Sequence, residues 1–203
     1  MKKIFIYFLF FIMSFSAYSA DTMTGQIIQE GFIDCFAEGL AKNNKPVYCE
    51  ASGVIYLNKN LIVVNDRPIP HQSPIFSIKY PELSVDHYLR EKNIIQATKY
   101  EDIAFTTDKK FVIAITAFDR IETNSHELDN YNNIVYWQNS KPKTATILSS
   151  QPNQHSSIEL RSKIAAALGY PAYYKIEGLA ILPNELLIGI RSMGKSYQNF
   201  NNV

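Results

Sequence analysis

The sequence predicts a mainly β fold assembled from repeats of about fifty residues. Three observations carry this. The stretch Tyr48-Cys49-Glu50-Ala51-Ser52-Gly53-Val54-Ile55-Tyr56-Leu57, followed at once by residues 60–67, comes back twice in altered form. It returns as Tyr100-Glu101-Asp102-Ile103-Ala104-Phe105 ahead of Lys110 to Thr116. It returns again as Ile176-Glu177-Gly178-Leu179-Ala180 ahead of Glu185 to Arg191. One glutamate opens each copy and one arginine, Arg67, Arg120 or Arg191, closes it. Each copy is a pair of short runs rich in β-branched and aromatic residues around a polar turn, which reads as a β-hairpin. Glu50 and Glu101 are 51 residues apart, and Glu101 and Glu177 are 76 apart. The excess matches a loop and helix inserted at 151–174, so the underlying unit holds up to four short strands. That is the size of one β-propeller blade. The expected fold is a partial or open β-propeller of about three to four blades of antiparallel strands, with one inserted helix near 156–168.

The start of the chain has the order of a secretory signal peptide. Lys2 and Lys3 precede an apolar run from Ile4 to Phe15, and small residues follow through Ala20. The run is shorter than the roughly 20 residues a membrane span needs. Cleavage after Ser19 suits the small-residue rule best, and no cysteine at the junction offers a lipid anchor. About 183 residues then remain as one domain, 21–203, long enough for a sizeable core. Formal net charge is +1. That gives no electrostatic case for nucleic acid or an acidic membrane. The expected location is periplasmic or secreted, in a bacterium. The two cysteines, Cys35 and Cys49, either pair or stay as separate buried thiols, and export favours pairing. A bridge there would close a loop of about 15 residues, worth roughly 3 kcal/mol by chain entropy.

Taken in order, residues 25–28 could add a strand, 33–40 are ambiguous, and 43–46 read as a turn. The first full unit has strands at 53–57, 61–64 and 74–80, with a turn at 58–60. Pro81 stops the third strand. A short helix is expected over 84–92 and a fourth strand over 94–97. The second unit has strands at 103–105, 111–116, 134–137 and 144–148, with a turn at 107–109 and a polar loop at 124–133. Next comes the helix. Ser156-x-x-Glu159 reads as a capping box. Leu160, Ile164 and Leu168 share one helical face, and Gly169 then Pro171 end it. The third unit begins at Lys175, has its second strand at 186–190, and gives way to a polar, aromatic tail.

Lys99-Tyr100-Glu101-Asp102-Ile103-Ala104 and Lys175-Ile176-Glu177-Gly178-Leu179-Ala180 resemble blade openings of exported calcium-type β-propellers. The nearest families are the phytase-related esterase-like propellers and the SdiA-regulated propellers; the gluconolactonase family is more distant. The resemblance covers roughly residues 47–200. These families have about six blades, so it implies an open fan here, truncated relative to them. In the lactonase family a first-strand glutamate is a metal ligand, a role the resemblance offers to Glu50 or Glu177.

Two readings of the repeated charges follow. Glu50, Glu101 and Glu177, taken as one position in three blades, would converge on a central channel. There they could hold a divalent cation such as Ca²⁺, which takes several oxygen ligands, with Asn65, Asp66 and Asp119 as candidate companions. Alternatively the glutamates form buried, bidentate ion pairs with Arg67, Arg120 and Arg191 that set blade register, and no metal is needed. Asp102 follows Glu101 and points to the opposite face of a strand, so the two make a poor acid/base pair. His71, His87, His126 and His155 fall in expected loops without metal-ligand spacing. Trp137 and Tyr136 read as core packing. Gly-x-Ser-x-Gly, a phosphate loop, His-Glu-x-x-His and an EF-hand loop do not occur. The expected function is an exported binding or interaction scaffold, with an unknown small molecule or protein as partner, or self-association at open sheet edges. The alternative is a Ca²⁺-dependent phosphoesterase- or lactonase-like hydrolase. A degenerate remnant of an active relative is a third.

Overall fold

A computed structural model of the chain describes residues 30–31, 33, 35, 41–42, 44–67, 72–121, 125–151 and 156–203. The expected signal segment, the strand at 25–28, most of 33–40, His71 and His155 lie outside the described residues. The chain divides into Met1–Gly31 and Phe32–Val203, and the second unit holds all the elements that follow.

A short hairpin, β1 (Ala41–Lys42) with β2 (Lys45–Pro46), comes first. Three antiparallel sheets follow, each a meander of consecutive strands. The first holds β3 (Ala51–Leu57), β4 (Asn60–Asn65), β5 (Ile75–Lys79) and β6 (Ser84–Tyr88). The second holds β7 (Tyr100–Phe105), β8 (Phe111–Thr116), β9 (Ile134–Gln138) and β10 (Lys141–Ile147). The third holds β11 (Tyr173–Leu182), β12 (Glu185–Ser196) and β13 (Asn199–Asn202). The first strands of the three sheets are neighbours, with β7 between β3 and β11. A mainly β chain of antiparallel sheets, with two helices between them among the described residues, is thus what the sequence forms.

Strand alternation explains the layering. Ile55, Leu57 and Val64 of the first sheet pack against Ile103, Val112, Ala114, Val135 and Trp137 of the second. The opposite face of the second sheet, with Ile113, Ile115 and Ile134, meets Tyr174, Ile176, Leu179, Ile188 and Ile190 of the third. On the first sheet's other face, Val63, Phe76 and Ile78 are covered by Ile33, Cys35, Val85 and Tyr88. The Cys35–Cys49 disulfide ties this covering segment to the start of β3, and the Tyr88 hydroxyl donates to the Cys35 carbonyl at 2.8 Å.

Two elements exchange places relative to expectation. Residues 84–88 form a strand, because Val85 and Tyr88 pair with Ile78 and Phe76 and extend the apolar cover. Residues 94–97 do not form the fourth strand; they belong largely to a short helix, α1 (Lys92–Gln96). The reason is connectivity. The chain leaves the first sheet at β6, its far edge, and must return beside β3 to begin β7. That crossing lies over the sheet face, where one helical turn buries Ile94 and leaves Ile95 outside. The Tyr100 hydroxyl fixes it by donating to the Ile94 carbonyl at 3.1 Å.

The crossing from β10 to β11 is made by α2 (Ile158–Ala167). Its Leu160, Ile164 and Leu168 pack on the core between the second and third sheets. The expected capping box is not formed. Ser157 stands at the N-cap, and its hydroxyl instead donates to the Leu148 carbonyl and accepts from the Ile134 amide. Glu159 turns back to receive the Ser149 hydroxyl and Ser150 amide. The helix closes in a Schellman motif: the Tyr170 amide reaches the Ala165 carbonyl at 2.7 Å and the Gly169 amide that of Ala166 at 3.2 Å. Gly169 supplies the positive φ of 79°. The helix is pinned by buried Arg161, which donates to the Phe118 carbonyl and lies 4.4 Å from the Tyr174 ring centroid. Burial pulls the Arg161 guanidinium below its ordinary value.

The tail also gains structure. Residues 199–202 form β13, and Phe200 sits 5.7 Å from Tyr173, ring centre to ring centre. At the β3–β4 turn, Asn58 and Lys59 both take positive φ, 52° and 64°, the signature of a two-residue type I′ turn. Lysine is strained there. Lys59→Gly is expected to raise stability by about 0.5–1 kcal/mol, seen as a higher urea midpoint at constant slope.

Candidate functional site

The repeated charges gather where β3, β7 and β11 begin, and a β-bulge shapes each strand there. Pairing skips one residue between Ala51 and Gly53, between Tyr100 and Asp102, and between Ile176 and Gly178. The extra residues are Ser52, Glu101 and Glu177. A bulge leaves its extra residue outside the ladder and re-aims its side chain. Glu101 and Glu177 therefore share one structural position, but Glu50 does not. Ser52 takes that place in the first sheet, and Glu50 aligns with Lys99 and Lys175. The arginines are staggered too. Arg191 directly follows the β12 residue paired with Ile176, whereas Arg67 lies two residues and Arg120 four residues beyond the corresponding partners, Asn65 and Thr116. The two-residue offset of Glu50 from Ser52 preserves strand alternation, so it is invisible in the sequence pattern.

The ion pairs differ accordingly. Arg67 pairs with Glu50 and Arg191 with Glu177, the latter at 2.5 Å. The Glu50–Arg67 pair is exposed, not buried, and such pairs contribute about 0–1 kcal/mol. Glu101 pairs with no arginine. It lies 3.1 Å from the Lys175 ammonium and 3.9 Å from that of Lys99. Arg120 lies 3.7 Å from Asp119 and covers the Tyr131 ring.

Together these groups form a string of alternating sign: Arg120, Asp119, Lys99, Glu101, Lys175, Glu177, Arg191. Lys99 meets Asp119 at 2.5 Å, and Lys175 also contacts Glu177. The string begins in the loop after β8, crosses β7 and ends on β12, so it joins the second sheet to the third. Its ends, Arg120 and Arg191, are exposed, and its middle is buried.

Glu101 is the centre of the string, only 5% exposed. Burial, reinforced by the negative Asp66, pushes its carboxyl up to about 7 against the pull of Lys175 and Lys99. Its Oε1 is the atom that faces the Lys175 ammonium at 3.1 Å. Burial likewise raises the half-buried Asp66, against Lys99 and Lys175. For Lys175, burial works to lower the ammonium, but Glu177 and Glu101 outweigh it and hold it above its usual range. Chemically, the centre is a carboxyl that exchanges its proton near neutrality between two ammonium groups.

Of the other expected ligands, Asn65 is fully committed to the backbone: its Oδ1 accepts the Glu50 amide at 2.7 Å and its Nδ2 donates to the Arg67 carbonyl at 2.7 Å. Asp119 is buried against Lys99. Among the described residues, no group of three or more His, Cys, Asp or Glu side chains is placed to hold a metal ion. His87 and His126 pair with Asp86 and Asp129 at exposed positions. Trp137 is buried between the first and second sheets. A groove of about 380 Å³ lined by Lys109, Lys110, Phe111, Gln138, Asn139 and Ser140 lies at the other end of the β7–β8 hairpin.

Sequence reasoning weighed Asp102 only as an acid/base partner of Glu101 and missed its structural role between the sheets. Its Oδ1 accepts the Ile103 amide at 2.8 Å, and its Oδ2 accepts the Leu179 amide of β11 at 2.7 Å. On the other side, a Cβ on Gly53 would stand 2.9 Å from the Asp102 Cα and 3.0 Å from the Ile103 nitrogen. So β3 approaches β7 closely because residue 53 has no side chain. The match of Gly53 with Asp102 appears only in the bulge register, so the sequence pattern carried no signal for it.

Among the described residues, no helix is long and apolar enough to cross a membrane. No protein-family model matches the chain, and no curated protein matches it.

Proposed function

We propose that this chain is an exported binding and interaction scaffold, a partial and open β-propeller of about three blades, serving in the periplasm or outside the cell. The observation that carries the reading is how the acidic groups are used. Glu50, Glu101, Asp119 and Glu177 each contact a cationic side chain of the same fold. These charges hold strands and sheets together, the task of a scaffold. The disulfide supports export to an oxidising compartment. The meanders with adjacent first strands support the blade reading, and so do the family-like openings at Lys99–Ala104 and Lys175–Ala180.

A second reading is a Ca²⁺-dependent phosphoesterase- or lactonase-like hydrolase. One observation favours it: Glu101 is a buried carboxyl with Asp66 close enough to act on it electrostatically. Against it stands the Lys175 ammonium 3.1 Å away, which would repel a cation.

A thermal melt in Ca²⁺ and in excess chelator separates the two. A site at a hundredfold its dissociation constant adds about 2.7 kcal/mol, or roughly 5–10 °C for a domain of this size. The scaffold reading expects superimposable melts. A rise of that size in Ca²⁺, abolished in Glu101→Gln, would establish the metal reading instead.

A further inference from the structure

The groove at the tip of the second sheet differs from the charged string at the sheet's other end: several of its polar groups are not engaged within the fold. Its floor is set by strand pairing. Phe111 of β8 stands opposite Gln138 of β9, and Gln138 is paired in turn with Lys141 of β10. Directly paired residues share a face of a sheet. The Phe111 ring, the Gln138 amide and the Lys141 ammonium therefore rise on one side. Phe111 meets Tyr136 at 6.3 Å between ring centres and 63° between planes, which fixes the tilt of its ring. The cavity measures about 380 Å³, within the roughly 300–1,000 Å³ of small-molecule sites.

Asn139 holds the rim. Its amide donates to the Lys110 carbonyl at 2.8 Å and its Nδ2 to the Lys109 carbonyl at 3.2 Å. Its Oδ1 accepts from the Asn58 Nδ2 at 3.5 Å. One residue thus joins the turns of three hairpins, β3–β4, β7–β8 and β9–β10. Its neighbours Gln138 and Ser140 are exposed, and among the described residues neither side chain has a hydrogen-bond partner.

Charge at these turns is one-sided. Lys59, Lys109, Lys110, Lys141 and Lys143 are all exposed on or close to them. The carboxylate in the tip of the second sheet, Asp108, is already engaged. It accepts the Thr106 hydroxyl at 2.6 Å and the Lys110 amide at 3.0 Å, and lies 3.2 Å from the Lys110 ammonium. Lys109 extends over the Phe105 ring at 5.5 Å. Lys141, on the groove face, has no anionic partner among the described residues.

An aromatic face, an amide and a hydroxyl that each donate and accept, and an unpaired ammonium match three features of one molecule. The C–H face of a pyranose lies on an aromatic ring, its hydroxyls exchange hydrogen bonds with an amide and a hydroxyl, and an acid group on the ring meets the ammonium. Inorganic phosphate has no face for Phe111, and an acidic peptide has no ring of hydroxyls for Gln138 and Ser140.

We propose that this groove binds a sugar acid, a pyranose ring bearing a carboxylate, either free or as a unit of an anionic polysaccharide. The inference rests on the scaffold reading and deepens it by naming a class of ligand.

Amide NMR of the isotope-labelled, disulfide-bonded chain tests it, in excess chelator so that no Ca²⁺ bridges ligand and protein. Galacturonic acid is expected to move the amides of residues 109–111 and 138–141 saturably. Galactose, and galacturonic acid on Lys141→Ala, are each expected to bind about tenfold more weakly, the loss of one charge-assisted hydrogen bond. Lys141 is exposed, so the variant should keep the wild-type spectrum away from the groove. Groove amides that do not respond to the acid overturn the inference. So does a Lys141→Ala variant that binds as wild type does, and so does an equal response to inorganic phosphate, which would mean a site for anions of any shape. A trigalacturonate that binds more tightly than the monomer upholds it with a polysaccharide as the source; equal affinities uphold it with the free acid. The calcium melt decides the scaffold reading separately, because the titration contains no free Ca²⁺.

Discussion

Asp102→Ala is expected to lower folding stability by about 3 kcal/mol. The substitution strips the acceptor from two backbone amides at once, Ile103 in its own strand and Leu179 in the next sheet. An unpartnered amide away from water costs about 1–3 kcal/mol, and bonds to a charged acceptor sit at the upper end. The partial exposure of Asp102 brings the sum of two such losses down towards the middle of the range. Asp102→Asn keeps one side-chain oxygen, enough for one of the two amides, and should recover about half. Urea unfolding gives the numbers: a lower midpoint at unchanged slope for both variants, alanine lower than asparagine. Hydrogen exchange adds a local check, since the Leu179 amide should lose protection in both. An alanine variant within 0.5 kcal/mol of wild type would mean that the bulged amides find water instead, and that Asp102 does not couple the sheets.

The second large effect is a pH dependence traced to Glu101. Its carboxyl titrates near 7 in the folded chain against an ordinary value of 4.5. The folded state therefore prefers the protonated acid. Stability from this group is present in full below about pH 4.5, is lost as pH rises from there to about 7, and changes no further above that. The loss over the window is about 3 kcal/mol, at 1.36 kcal/mol per unit. Asp66, also raised by burial, acts in the same direction. Glu177 acts oppositely: burial alone would raise it, but Lys175 and Arg191 hold its carboxyl low. Its stabilisation is present above pH 4.5 and disappears only as pH falls through its lowered value, outside the window. Glu101→Gln removes one titration. The difference in stability between wild type and this variant should shift by about 3 kcal/mol between pH 4.5 and 7. Parallel curves would show that Glu101 stays ionised throughout, held by Lys99 and Lys175.

The hairpins were legible because they are local. Residues 53–57 and 61–64, or 103–105 and 111–116, announce themselves by β-branched runs around polar turns, and the two cysteines announce their bridge. The helix at 158–167 was legible from Leu160, Ile164 and Leu168. What the pattern hid was set by neighbours distant in sequence. Ile94 and Ile95 look like strand residues, yet the route from β6 back to β7 makes them a helical turn. Ser156 and Glu159 have the spacing of a cap, yet Ser157 and Glu159 find better partners in the loop they dock against. The polar residues after 196 carry no strand signal, and β12 recruits them by its free edge. Among the repeated charges, the expected glutamates and arginines do not stand in one register. Glu50 stands two residues before the shared position, an offset that keeps strand alternation, so it seemed equivalent to Glu101 while its true counterparts, Lys99 and Lys175, were overlooked.

The meander order has a consequence for synthesis. Each sheet is made of strands that follow one another along the chain, so no strand waits for a partner encoded far downstream. The first sheet is complete once Tyr88 has emerged, and β7, which shields its apolar side, starts only twelve residues later. The second sheet must hold its own exposed flank longer, through the loop and helix that precede β11. Vectorial growth thus leaves one bare surface at a time, always at the newest end. The stretch carrying Arg161 arrives in time to occupy that surface before the third sheet is made.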